Sequence, residues 1–394
     1  MTVMNAANVC SCGQRHLNPQ SIVRVGSGIL DSLGTIIQEL SLGESCVLVC
    51  DENTHGVAGS RVIDQLKALG KDVQVMQFRR SENLVPDEKA LGELFQALGS
   101  KPQFLIAVGS GTVSDLTRYA AFIADIPFLL VATAPSMDGY SSTVSSLVQR
   151  GTKQTFLGKE AHAIIGDSQV LAGAPLHMIQ AGVGDLLGKI ISRADWKLSH
   201  LLTGEAHCDR IQQRVNQAID LTVQQMDSLS VTSEEFAETL MQGLILSGEA
   251  ITLFGGSRPA SGAEHQLAHF WKKLALEEGR TVGLHGQKVG CATRIVLKVY
   301  HKVAERVKRQ DDKLLQSSFE QVMAELPSVQ WYDELLEKAG MSFTIHELGI
   351  PETWIEIGLQ NAMYLRDRHS ILRLADEHGW LEEITREIML EERA

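Results

Sequence analysis

One aspartate and three histidines stand in glycine-flanked segments between residues 182 and 290. These segments are Gly182-Val-Gly-Asp185-Leu-Leu-Gly-Lys189, Gly262-Ala-Glu-His265-Gln-Leu-Ala-His269 and Leu284-His285-Gly-Gln-Lys-Val-Gly290. One carboxylate with two or three imidazoles suits a divalent transition metal that keeps a coordination position open for chemistry. His265 and His269 are four residues apart and project from one helical face. Spacing alone therefore leaves the third ligand open between His269 and His285. Cys10, Cys12 and His16 are also ligand types, but so short and polar a segment reads as a loose tail rather than a metal site.

Two earlier segments carry a different chemistry. Ala107-Val-Gly109-Ser-Gly111-Thr-Val-Ser-Asp115 follows an apolar run and opens an amphipathic one. Glycines at such a turn let the backbone approach a pyrophosphate, whose charge a helix N-terminus stabilises. The spacing is not that of the usual dinucleotide fingerprint, which belongs to the first strand. Thr133-Ala-Pro-Ser-Met-Asp138-Gly-Tyr-Ser-Ser142 gathers hydroxyls and an acid after the next apolar run, where they suit a nicotinamide ribose and a substrate hydroxyl. Asp51 ends the run Cys46–Cys50 and is placed to accept hydrogen bonds from an adenosine ribose. An acid there repels a 2′-phosphate, which favours NAD, with NADP the alternative.

The elements that must position these residues follow from hydrophobic patterning. Apolar runs at Cys46–Cys50, Asp72–Met76, Phe104–Val108, Phe128–Val131 and His162–Ile165 alternate with helix-like stretches at Gly59–Leu69 and Asp87–Leu98. That alternation predicts a Rossmann-like α/β domain with a parallel sheet over residues 1–170, binding its ligand at the carboxyl ends of the strands. From about residue 171 the periodicity is helical throughout, over 186–200, 206–227, 233–253, 262–276, 286–308, 311–325, 330–339 and 353–366. Residues 171–394 therefore read as an all-α domain holding metal and substrate, with the active site expected in the cleft between the two domains.

Bulk properties exclude other classes. A formal net charge of −12 argues against nucleic acid or an anionic membrane surface as partner. No apolar run approaches membrane-spanning length and the first 20 residues lack a signal-peptide core, so membrane insertion and secretion are not expected. Six scattered cysteines without a disulfide-framework spacing fit a reducing cytoplasm.

Taken together, these segments resemble the iron-containing alcohol dehydrogenase and dehydroquinate synthase superfamily, and within it the glycerol-1-phosphate dehydrogenases. The likeness runs in order from Asp51 through Gly109–Asp115, Thr133–Gly139 and Gly184-Asp185 to Leu284-His-Gly286. Its most discriminating phrase is Ser257-Arg-Pro-Ala-Ser-Gly-Ala-Glu-His265. The resemblance implies a dehydroquinate synthase-like fold and an NAD(P)-dependent enzyme that interconverts dihydroxyacetone phosphate and sn-glycerol 1-phosphate. It implies one divalent metal per subunit (zinc, nickel or iron) and a homodimer or larger assembly. Asp185, His265 and His285 would be the metal ligands, and Asp138, Asp185 and His269 the catalytic groups facing substrate. Gly111, Thr112, Val113, Ser114, Asp115, Thr133, Ala134, Pro135, Ser136 and Ser142 would contact the cofactor. Arg258, with Lys189, is the expected charge near the phosphate. Ser110 departs from the family pattern, in which a third glycine is common; the departure is tolerated where its φ is negative. Dehydrogenation of an unphosphorylated polyol and a dehydroquinate synthase-like elimination are the alternatives on the same scaffold.

Overall fold

The computed structural model describes residues 9–80 and 84–393. The five apolar runs become strands, and three more join them: β1 (Ile22–Gly26), β2 (Ser45–Asp51), β3 (Asp72–Phe78), β4 (Phe104–Gly109), β5 (Phe128–Ala132), β6 (Val144–Gln149), β7 (Thr152–Leu157) and β8 (Ala163–Asp167). Six of them form one wholly parallel sheet in the order β1-β8-β5-β4-β2-β3. Alternate residues of the inner strands feed opposite faces. Val47, Val49, Leu105, Ala107 and Leu130 enter one apolar cluster, and Cys46, Leu48, Phe104, Ile106 and Leu129 the other. Burial on both faces explains why these strands read as continuous apolar runs rather than as an alternation.

Strand order also locates a ligand. The chain passes outward from β2 to β3, then crosses back to lay β4 on the other side of β2. The carboxyl ends of β2 and β4 therefore flank the point where the winding reverses, and there they carry Asp51 and Gly109-Ser110-Gly111. In open parallel sheets that crevice is the binding position. β6 and β7 form a separate antiparallel hairpin that turns through Arg150 and Gly151, both with left-handed φ.

Beyond β8 every element among the described residues is helical, and none is long and apolar enough to cross a membrane. The chain groups into two compact units. One contains residues 19–182 with 228–252; the other contains the described residues up to 18, 183–227 and those from 253 onward. The helix Glu234–Phe254 belongs largely to the sheet unit, because its Ala237, Met241 and Ile245 pack into the sheet's apolar cluster.

The second unit is organised around glycines on the long helix Leu176–Thr203. A Cβ at Gly184 would lie 2.2 Å from the Gly286 carbonyl oxygen, and one at Gly188, one turn on, 2.4 Å from Val289. These glycines let the backbone of the helix His285–Val307 approach closely enough to bring His285 beside Asp185. A Gly184→Ala substitution is expected to destabilise the chain by roughly 1–3 kcal/mol, since backbone rather than a flexible side chain must yield. The check is the urea midpoint of metal-free protein, which should fall without a change in slope.

Candidate functional site

Three helices of the second unit each deliver one ligand-type side chain. Asp185 comes from the middle of Leu176–Thr203, His265 from the first turn of Ala263–Glu277, and His285 is the first residue of its own helix. One donor atom from each lies within 4.8 Å of the others. Asp185 is fully buried, His265 buried and His285 half-buried, so the triad is sealed on one side and open on the other. His269 stands outside that group of three. Its ring stacks on His285 at 5.3 Å between centroids and meets His265 edge-on at 5.9 Å. The structure thus brings Asp185, His265 and His285 together and leaves His269 beside them.

The surroundings fix each group for metal binding. Glu264 Oε1 sits 2.6 Å from His265 Nδ1, so Nδ1 carries a proton, while Nε2 faces Asp185 Oδ1 at 3.4 Å, donating to it in the absence of a metal and offering its lone pair when a metal takes that proton's place. Lys189, fully buried one turn after Asp185, donates to Asp185 Oδ1 at 2.7 Å and sets the carboxylate's orientation. Burial opposes charge on Asp185, but Lys189, the His265 hydrogen bond and His285 outweigh it and hold the carboxyl well below the usual range. An ionised carboxylate and two imidazoles, one with its ring orientation fixed, fit a divalent metal. Replacing Glu264 by Gln should keep the fold but weaken metal retention ten- to a hundredfold, the usual scale for losing a carboxylate behind a ligating histidine. Chelator competition on the variant measures it, and unchanged affinity would remove Glu264 from this role.

Arg258 is largely held by protein groups, with only its Nη1 left without a hydrogen-bond partner. It is buried at 3% exposure; its Nε meets both carboxylate oxygens of Glu205 at 2.9 and 3.0 Å, and Nη2 donates to the carbonyls of Asp195 and His369. Lys189 is likewise committed to Asp185. Two arginines that sequence reasoning missed stand in their place. Arg366 donates to Ser257 Oγ, Ser261 Oγ and, at 3.4 Å, His269 Nδ1; Arg368 donates to Ser261 O and Ser257 Oγ. Among the described residues the hydrogen-bond partners of this pair include no carboxylate. Burial, then the charges of Arg366 and Arg258, push the Arg368 guanidinium down to about 10. Crowded guanidiniums whose hydrogen bonds go to hydroxyls, a carbonyl and an imidazole favour an anion between them, with Glu205 and Glu264 acting on them only through space. The missed signal was a pair of arginines in a turn after the Glu352–Asn361 helix, with no motif around it.

In the sheet unit, Ser110 precedes the helix Gly111–Ala124 with φ −106°, so its departure from glycine carries no backbone strain. The first amides of that helix, on Gly111, Thr112 and Val113, have no acceptor within it. The side chains of Val113 and Ser114 are buried, Asp115 is paired with Arg118 at 3.0 Å and the Ser114 amide donates to the Ser110 carbonyl, so of these three the Val113 amide is the group left for a ligand. Asp51 caps the turn that follows β2, accepting from the Thr54 amide at 2.8 Å through one carboxylate oxygen. Thr133, Ala134, Pro135 and Ser136 are buried beneath the next loop. Ser142 accepts from the Val144 amide, and Asp138 accepts from Ser247 Oγ at 2.9 Å.

Comparison with known proteins gives a consistent result. Residues 24–175 match the family model described as iron-containing alcohol dehydrogenase. The chain is 31% identical to a glycerol-1-phosphate dehydrogenase [NAD(P)+] of Bacillus licheniformis, over 96% of this chain and 94% of that protein. It is 32% identical to the enzyme of the same name from Halalkalibacterium halodurans, over 94% and 96%. Among solved structures, a probable glycerol dehydrogenase from Sinorhizobium meliloti superposes with a TM-score of 0.68 at 16% identity, covering 94% of this chain and 99% of that one. That last likeness speaks for the fold alone.

Proposed function

The chain belongs to the glycerol-1-phosphate dehydrogenases of the iron-containing alcohol dehydrogenase family, and on that premise we propose that it interconverts dihydroxyacetone phosphate and sn-glycerol 1-phosphate, using NAD(P) and one divalent metal held by Asp185, His265 and His285. The observation that carries this reading is the triad with Arg366 and Arg368 beside His269 in the same unit. An unphosphorylated polyol gives that arginine pair nothing to bind, and the names of the relatives specify the phosphate ester.

When bound, the metal supplies Lewis acidity at the C2 oxygen and NAD(P) supplies or accepts the hydride. The chain's own residues do the rest. Free amides of Gly111, Thr112 and Val113 hold the pyrophosphate at the helix N-terminus. Asp51 accepts from the adenosine ribose with the carboxylate capacity that Thr54 leaves over. Arg366 and Arg368, with Ser257 and Ser261, clamp the substrate phosphate and fix C2 relative to the triad. A guanidinium N–H only donates, so His269 Nδ1 accepts from Arg366 and its Nε2–H is the side that would donate to the substrate oxygen and pass a proton to water. Asp138, anchored by Ser247, is the further acid for a substrate hydroxyl.

Zinc is the default metal, with nickel and iron compatible with the same donors. The cytoplasm, where its six cysteines remain thiols, is its compartment, and a homodimer its smallest assembly. The deciding experiment follows NADH oxidation by metal-analysed protein with dihydroxyacetone phosphate and identifies the product enantiomer. The expected product is sn-glycerol 1-phosphate, with turnover lost on chelation and restored by a divalent metal. Equal turnover of glycerol and glycerol 1-phosphate would overturn the assignment of substrate.

A further inference from the structure

We propose that Cys10, Cys12, His16 and Cys208 form a second metal site, a closed structural zinc centre that ties the N-terminal segment onto the helical unit. It shares no residue with the Asp185 triad and goes beyond the dehydrogenase reading.

One donor atom from each of the four residues lies within 4.8 Å of all the others. Cys10 Sγ and Cys208 Sγ are 3.7 Å apart, and Cys12 Sγ and His16 Nε2 are 3.2 Å apart. Two thiolates each about 2.3 Å from a tetrahedral zinc stand about 3.8 Å from one another, so the sulfur pair already has the edge length of such a site. A disulfide needs the sulfurs at about 2.05 Å, and all three cysteines of the cluster are thiols here.

The local backbone is arranged to converge these donors. Gly13, with φ +80°, donates to the Cys10 carbonyl at 2.8 Å and closes a tight turn that sets Cys10 and Cys12 to one side. His16 follows one short stretch later. Its Nδ1 lies 3.0 Å from the Leu253 carbonyl oxygen. A carbonyl only accepts, so Nδ1 carries the proton and the Nε2 lone pair points at the sulfurs. Cys208 precedes the helix Asp209–Met226 at the N-cap position, where a side chain usually accepts from the helix; its sulfur makes no such bond and is turned to the cluster instead. It is also buried at 2% exposure, so three soft donors meet a fourth that solvent does not reach.

Three thiolates and an imidazole select zinc, and with four protein ligands no position is left for substrate, which makes the site structural rather than catalytic. Binding releases the thiol protons to water and transfers no electrons. The reading of residues 10–16 as a loose tail failed because the fourth ligand lies 198 residues from Cys10 in sequence.

The test uses the full chain. Zinc X-ray absorption of the purified protein should show sulfur neighbours at about 2.3 Å, a distance that the oxygen and nitrogen donors of the triad do not produce. Cobalt(II)-exchanged protein should show thiolate-to-cobalt charge-transfer absorption, kept in His285→Ala and lost in Cys10→Ser/Cys12→Ser together with one metal equivalent per chain. Fully metal-loaded wild-type protein with no sulfur neighbours and no thiolate absorption overturns the proposal, as does an intact mass showing Cys10 joined to Cys208. Those readings need no variant to fold. They are also independent of turnover, so failure of the dehydrogenase assignment would leave them unchanged.

Discussion

His285→Ala is expected to lose its metal and to lower kcat/KM for dihydroxyacetone phosphate by about a thousandfold or more. The loss corresponds to roughly 4 kcal/mol of transition-state stabilisation, within the several kcal/mol that a Lewis-acid metal provides. The variant should still fold. His285 is half-buried, opens its helix and contributes its ring to the stack with His269 rather than to an apolar core. A small change in the thermal midpoint of metal-free protein therefore accompanies the large change in rate. Metal analysis beside initial rates separates this outcome from a misfolded protein. His269→Ala is the control: it should retain the metal equivalent while losing rate, because His269 lies outside the group of three whose donor atoms converge. If His285→Ala kept both metal and activity, or if His269→Ala lost the metal, the ligand assignment would be wrong.

The contrast between those two histidines shows what was legible beforehand. Spacing placed His265 and His269 on one helical face and left the third ligand open between His269 and His285, because a metal needs donors from several directions. The site draws on three helix segments: Asp185 mid-helix, His265 in a first turn and His285 at a helix start. Convergence of that kind depends on close helix packing, which the glycines at 184 and 188 announced only as a spacing. The inner strands β2, β4, β5 and β8 were legible because burial on both faces writes continuous apolar runs into the sequence. β1 was missed as an edge strand with a mixed face, and β7 because Thr152–Leu157 is largely polar and exposed. Arg258 is largely taken up by protein groups for a reason of energetics. A motif arginine suggests an anion, but this guanidinium is only 3% exposed and its Nε and Nη2 are held by Glu205 and two carbonyls, which leaves Nη1 buried without a hydrogen-bond partner. The arginines that remain for a ligand come from a segment with no pattern at all, and only the fold brings them beside Ser257 and Ser261.

Arg368→Ala should raise KM for dihydroxyacetone phosphate and for glycerol 1-phosphate by about ten- to a hundredfold while leaving the slow turnover of unphosphorylated glycerol unchanged. Hydrogen bonds to a charged group contribute about 1.5–3 kcal/mol each, and 1.4 kcal/mol is tenfold in affinity. Arg368 is a cleaner probe than Arg366, because Arg366 also donates to His269 and its loss would disturb the proton-carrying imidazole. Among the described residues the Arg368 side chain hydrogen-bonds to Ser257 and Ser261, so its effect should fall on substrate binding, with kcat reduced less than KM is raised. Inorganic phosphate, competing with substrate in the wild type, should inhibit the variant at correspondingly higher concentration. Arg258→Ala provides the opposite signature. It strips Glu205 of its bidentate partner and uncaps the carbonyls of Asp195 and His369, so its cost appears as a lower thermal midpoint rather than as a change in the preference for phosphate. A variant of Arg368 that loses glycerol and glycerol 1-phosphate turnover in equal measure would show a structural role for that side chain. The phosphate would then have to be held elsewhere, and selectivity between phosphorylated and free polyols would not reside in the arginine pair.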